Sequence, residues 1–285
     1  MFVMRLSFLL LSAAPIARAA LTLTGSSLDW TPMGANFDFF ADQQTGSAAG
    51  DIVGDAHNVG FLTKFDDAGT ASKTDGTLGF RVRLDDHGGQ EKSPSFDRVL
   101  WIGMDADLDG TLDGFLGVDR QGSTNELAIY APSTGANTSP SNTKIAKTAY
   151  WSTTITSTNY HYRAVDVSLD GGTTNDLTAD SLGDPDFYVS FSVAVSDLVS
   201  YFSSLDNPIS FNQDTPLRYV LATSTQKNSL NQDLGGILGG NSSTQTWTQL
   251  GGFTPTITAD GAIVPESNIA VFLIGVLGFL LRRCR

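Results

Sequence analysis

Four aspartates fall within nine residues at Asp105, Asp107, Asp109 and Asp113, with Gly110 and Thr111 between them. Short carboxylates alternating around a glycine suit a hard, oxygen-seeking cation. The glycine allows a sharp bend, and the acids then converge on one point. Ca2+ takes about six to eight oxygens. The spacing therefore predicts Asp105, Asp107, Asp109, the Thr111 carbonyl and Asp113 as its ligands, the last directly or through water. Leu116 stands where a helix-loop-helix calcium loop has its bidentate glutamate, and the stretches on both sides read as strands. The expectation is a strand-loop-strand calcium site, with Asp119 as a further candidate ligand, and not an EF-hand. Without an ion the crowded charges repel, and a cation converts that repulsion into a clamp. The alternative reading of the same residues is an acidic turn whose carboxylates all face water.

Asp176, Asp180, Asp184 and Asp186 form a looser group stiffened by Pro185. Asp180, Asp184 and Asp186 are candidates for a second ion, beside the reading of an ordinary polar loop. Asp66–Asp67 and Asp85–Asp86 are adjacent pairs, which in a strand point to opposite faces and share nothing. Among the aromatics, Trp101 lies in an apolar strand and reads as core. Trp151, Tyr160 and Tyr162 adjoin Ser/Thr-rich stretches and are the candidates for stacking on sugar rings.

Other chemistries lack their residues. There is no Gly-x-Ser-x-Gly elbow and no phosphate-cradling Gly-x-Gly-x-x-Gly between a strand and a helix. His57, His87 and His161 have no telling neighbours, and the single cysteine is Cys284. A Cys-based metal site and a disulfide in the body are both excluded. The net charge is −13, and 27 of the 30 acidic residues are aspartate. Such a surface repels phosphate backbones, so no nucleic-acid partner is expected.

The elements that must hold these residues read as short strands. Leu78, Phe80, Val82 and Leu84 alternate with Gly79, Arg81 and Arg83, a half-buried strand with one basic face. Further strands are expected at 99–104, 115–118, 127–130, 161–169, 187–195 and 217–223. Residues 131–143 read as a long exposed loop. One brief helix is expected at 196–202, capped by Ser196 and burying Val195, Leu198, Val199 and Phe202. The absence of long crossover helices argues against βαβ units. The fold class is therefore all-β, an antiparallel β-sandwich or jelly roll with one short helix over residues 20–250, followed by a tether at 251–263.

Both ends read as processing segments. Arg5, the apolar stretch Leu6–Leu11 and Ala17-Arg18-Ala19 predict a signal peptide over 1–19, removed by signal peptidase. At the other end an apolar run extends from Ile269 to Leu281, followed by Arg282, Arg283 and Arg285. At about 1.5 Å per residue it reaches roughly 20 Å against a bilayer core of about 30 Å, so a transmembrane helix needs snorkelling arginines or local thinning. The arginines would hold that end on the cytoplasmic side.

Val264-Pro265-Glu266, the hydrophobic run and the terminal arginines together resemble the PEP-CTERM sorting signal, with Ser267 in place of its second proline. The resemblance implies processing by an exosortase-like protease near Pro265–Glu266 in a Gram-negative host that makes exopolysaccharide. The protein would be transiently anchored in the inner membrane, then placed at the cell surface or in the extracellular matrix without Cys284. Phe65–Gly69, Asp105–Asp113 and Ala222–Asp233 are similar to segments of a group of uncharacterised exported bacterial proteins, which brings no catalytic assignment. The functional expectation is a calcium-stabilised structural cell-surface or biofilm-matrix protein. A carbohydrate-binding or adhesive module, with exopolysaccharide as partner, is the alternative, and a glycan-active enzyme a third reading.

Overall fold

Leu78, Phe80, Val82 and Leu84 project from one strand into the interior, and Leu100, Ile102 and Met104 meet them from another. Their period-2 spacing builds two sheets that face each other. The computed structural model describes residues 21–265, apart from 35–36, 39–40, 45–47, 91–92, 179–183, 240–244 and 260.

Fourteen strands occur among the described residues. They are β1 (Thr31–Pro32), β2 (Phe61–Asp66), β3 (Thr77–Leu84), β4 (Gly88–Gln90), β5 (Ser93–Ser95), β6 (Val99–Asp105) and β7 (Gly114–Asp119). They continue with β8 (Glu126–Tyr130), β9 (Trp151–Thr154), β10 (Tyr160–Ala164), β11 (Phe187–Ala194), β12 (Pro216–Ser224), β13 (Asp233–Leu234) and β14 (Ile257–Thr258). The first sheet has the order β1-β2-β3-β11-β10 and the second β13-β12-β6-β7-β8-β9, with β14 also on β12. β4 and β5 form a separate hairpin. Every pairing is antiparallel.

Phe80 sits at the centre of the layer between the sheets, 5.4 Å from the Phe191 ring and edge-on to Tyr219 at 5.5 Å. Burying each such side chain contributes about 1.5–3 kcal/mol. The outer face of the second sheet is covered as well. Trp101, Phe115, Tyr130, Val220 and Trp247 form a second buried cluster there. Trp101 lies flat over its register partner Gly117, where a Cβ would come within 2.4 Å of the indole, so the position requires glycine.

The chain supplies that cover from segments that read as loops. The 131–143 stretch is not an exposed loop, because Asn137, Ser139, Pro140 and Thr143 are buried. Thr143 Oγ1 accepts the Trp247 indole N–H at 3.2 Å. The 251–263 stretch is likewise packed on the sandwich. Thr254 N donates to Tyr219 O, and Ile257 is buried opposite Leu217.

The expected single helix is corrected to several short ones, α1 (Val167–Asp170), α2 (Val195–Ser203) and α3 (Trp247–Leu250), with 3-10 turns at Ala48–Gly50 and Pro140–Asn142. α2 buries Val195, Leu198, Tyr201 and Phe202, and its N-cap is Ala194, not Ser196. α1 shortens the strand expected to run to 169. Asp166 accepts the Ser168 amide and starts a helical turn instead.

The basic face of β3 is fully buried, not half-buried. Arg81 donates to Ser190 Oγ, Ser27 Oγ and Leu23 O, with its guanidinium 4.3 Å from the centre of the Trp30 ring. Arg83 Nε donates to Asp186 Oδ2 at 2.5 Å.

The expected transmembrane helix is also corrected. Among the described residues no helix is long and apolar enough to cross a membrane, and the longest, α2, has 9 residues. The expected inner-membrane anchoring is corrected with it. The signal peptide expected at 1–19, the run at 269–281 and Glu266, Arg282, Arg283 and Arg285 lie outside the described residues. Val264 and Pro265 are described, and the Val264 amide donates to Thr256 O at 3.0 Å, folding the chain back beside β14.

Candidate metal site

β6 ends at Asp105 and β7 begins at Gly114, so the intervening acids form the connection of a hairpin. The Asp113 amide donates to Met104 O at 2.7 Å and closes the loop at its base. Gly110 has φ +89°, the left-handed region its lack of a Cβ permits, and Leu108 also takes a positive φ of 64°. These two reversals fold the acids back on themselves.

Asp105, Asp107 and Asp113 bring ligand atoms within 4.8 Å of one another. Asp105 is completely buried, and its Oδ1 has no hydrogen-bond partner. Its Oδ2 accepts from the Gly110 amide at 3.1 Å and from Arg218 Nη2, which reaches over from β12. Asp113 Oδ2 accepts the Ala106 amide at 2.7 Å, and the Asp113 carbonyl accepts the Tyr201 hydroxyl at 2.6 Å. Burial, reinforced by the charges of Asp107 and Asp105 and opposed by the Ala106 amide, pushes the Asp113 carboxyl up to about 7. Burial also raises Asp105, against the pull of Arg218. A divalent ion at the meeting point would reverse both shifts, since it favours the charged form.

Asp109 does not join this group. Asp109 is exposed, and its Oδ1 accepts the Thr111 amide at 2.7 Å, which makes it a local turn residue. Asp119 is excluded by distance along the strand. At about 3.4 Å per residue it lies roughly 17 Å from the start of β7, and there it accepts the Gln121 amide.

The second expected ion site is not formed as predicted. Asp186 is buried and committed to Arg83, and Asp180 lies outside the described residues. Asp184 instead approaches Asp86 and His87, within 4.8 Å.

The three aromatics divide similarly. Trp151, Tyr160 and Tyr162 are each part-buried against the core between the sheets. Only Tyr160 and Tyr162 share a cleft, of about 360 Å3, with Phe96, Arg120 and Asn125. Tyr162 stacks on Phe187 at 4.9 Å, and Arg120 lies 5.5 Å from the Tyr160 ring centre.

A further acidic group, Asp38, Asp42 and Asp233, comes together from distant parts of the chain. Sequence spacing carries no signal for it, and only the pairing of β13 with β12 brings Asp233 there.

Compared with known proteins, the chain matches no family model, no curated protein and no solved structure. Known proteins thus lend no support to the expected secretion and exosortase assignments or to calcium, and only the carboxylate geometry bears on an ion.

Proposed function

We propose that this chain is a structural β-sandwich whose β6–β7 turn is clamped by Ca2+. One observation carries the reading. Asp105, with a buried oxygen that has no hydrogen-bond partner, converges with Asp107 and Asp113 at the mouth of a hairpin in the centre of the second sheet. An all-oxygen donor set without sulfur or imidazole suits a hard cation such as calcium. The clamp is structural because its ligands sit at the ends of two core strands, β6 and β7, and Asp113 is tied through its carbonyl to α2. The finer architecture is read as an open sandwich and not a jelly roll, because β6, β7, β8 and β9 follow one another as a meander in one sheet.

Calcium-dependent thermal unfolding tests the proposal. After chelation, millimolar calcium raises the midpoint of the wild type and leaves that of Asp107→Asn unmoved. An unshifted wild-type midpoint rejects it.

A second reading, recognition of a glycan such as an exopolysaccharide, is favoured by the cleft holding Tyr160 and Tyr162 beside Arg120 and Asn125. Aromatic faces next to hydrogen-bonding side chains suit sugar rings. Binding on a glycan array that disappears in Tyr162→Ala supports it, and no signal from the wild type removes it.

A further inference from the structure

In a chain of net charge −13 a cation finds an acid easily. Arg81, Arg83, Arg98, Arg163 and Arg218 each lie within 3.9 Å of an aspartate oxygen. Arg120, just past the end of β7, departs from that pattern. It is part-buried, yet among the described residues no carboxylate pairs with it. Its Nη1 donates to Asn125 Oδ1, and its Nε is buried with no hydrogen-bond partner. A charged donor taken from water without an acceptor is costly, so this guanidinium points to an acceptor that arrives from outside the chain.

The surroundings leave room for one. Arg120 stands between two adjoining clefts of about 360 and 380 Å3, which share it with Ser95, Phe96 and Asn125. Tyr160 and Tyr162 line the first, and the 122–124 turn between β7 and β8 lines the second. Each volume falls within the range of small-ligand sites, roughly 300–1,000 Å3. The walls are fixed to each other beforehand. Asn125 Nδ2 donates to Ile155 O at 3.0 Å, and the Ile155 amide donates to Asn125 O at 3.2 Å. The Tyr160 ring, its centre 5.5 Å from the guanidinium, holds the charge at the junction of the two clefts. Asp97 is the one acid among the described residues that line them, and Arg98 Nη1 holds it at 2.5 Å. The unpaired charge at the junction is therefore positive.

We propose, resting on glycan recognition at this cleft, that the double cleft takes a carboxylate-bearing sugar, a uronic acid unit within a glycan, and that Arg120 pairs with its carboxylate. The guanidinium is planar and presents a fork of N–H groups that matches a carboxylate, and Asn125 leaves part of that fork unused. The uronic acid ring lies on the Tyr160 side of the junction, and the next sugar of the glycan meets the Ser123 and Thr124 side. The acid-rich surface repels a densely charged polymer. The glycan that fits accordingly carries isolated carboxylates among neutral sugars.

Isothermal titration of the full chain compares three probes: a glucuronic-acid-containing disaccharide, its carboxyl-reduced neutral counterpart, and acetate. The wild type binds the acidic disaccharide roughly tenfold more tightly than the neutral one, and acetate more weakly than either. In Arg120→Gln that preference disappears while the affinity for the neutral disaccharide stays the same. Salt gives a second readout that needs no variant, should Arg120→Gln fold poorly. Raising ionic strength from about 0.05 to 0.5 M weakens binding of the acidic disaccharide and leaves the neutral one unmoved. Equal affinity of the wild type for the two disaccharides, or a preference that survives in Arg120→Gln, overturns the proposal and leaves glycan recognition standing. Acetate bound as tightly as the acidic disaccharide marks an anion site without sugar recognition and overturns it as well. No binding of either disaccharide removes the proposal and the glycan reading together.

Discussion

Arg218 and Asp105 face each other across β12 and β6, and Arg218 Nη2 donates to Asp105 Oδ2. The deepest carboxylate of the β6–β7 turn therefore has a resident counter-charge before any ion arrives. Arg218→Gln should destabilise the calcium-free protein by about 3 kcal/mol, since it leaves a buried carboxylate unpaired. The same variant should gain more from calcium than the wild type does, because the ion replaces the missing charge. Unfolding midpoints of both proteins in chelator and in calcium check this. An equal calcium shift in the two contradicts it.

Asp107 and Asp109 are two residues apart and both exposed, yet only Asp107 belongs to the converging group. Asp107→Asn should abolish the calcium response with little effect on the calcium-free midpoint. Asp109→Asn should keep the response, because an asparagine oxygen can still accept the Thr111 amide. Calcium titrations of the two variants, run side by side, decide the matter.

Tyr201 connects the turn to α2 through its hydroxyl on Asp113 O, and its ring packs where a Cβ on Gly114 would fall, 2.6 Å away. Tyr201→Phe keeps the ring and loses the hydrogen bond. It should cost about 1 kcal/mol of stability and weaken calcium binding several-fold through Asp113, and Tyr201→Leu should be worse on both counts. Unfolding curves paired with calcium titration separate the two effects.

The site was legible in the sequence to the extent that it is local. Asp105, Asp107, Gly110 and Asp113 are close in the chain, so their spacing predicts their meeting. Asp109 has the same spacing but turns to the Thr111 amide, a choice that depends on the backbone of the turn. Arg218 and the Asp38–Asp42–Asp233 group depend on strand register between β12 and its neighbours, for which no spacing rule exists. The same division holds for the fold. β3, β6, β7, β8, β11 and β12 alternate or run apolar and declare themselves. β13 and β14 are only 2 residues each, too short for any period, and take their conformation from the edge of β12 they cover. Arg81 and Arg83 looked like a solvated face because the partners that bury them, Ser27, Trp30 and Asp186, come from distant segments.

Asp170 gives the pH dependence of the first sheet's outer face. Burial works against its charge, but hydrogen bonds from Arg163, Ser27 and the Asp166 amide outweigh it and hold the carboxyl below its ordinary value of 3.8. A depressed folded-state pKa stabilises above the unfolded value and loses that contribution as pH falls through the folded one. Stability should therefore drop below about pH 4 in the wild type. Asp170→Asn should be less stable at pH 7, with a shallower acid slope. Denaturant midpoints from pH 2 to 7 test both halves, and parallel slopes contradict the assignment.

The most direct measurement is a crystal structure of residues 21–265 grown with calcium and recorded at a wavelength where calcium scatters anomalously. The account requires an anomalous peak among Asp105, Asp107 and Asp113, with carboxylate oxygens at about 2.3–2.6 Å. Ordered water there, with no anomalous signal and Arg218 still the sole cation on Asp105, would contradict it.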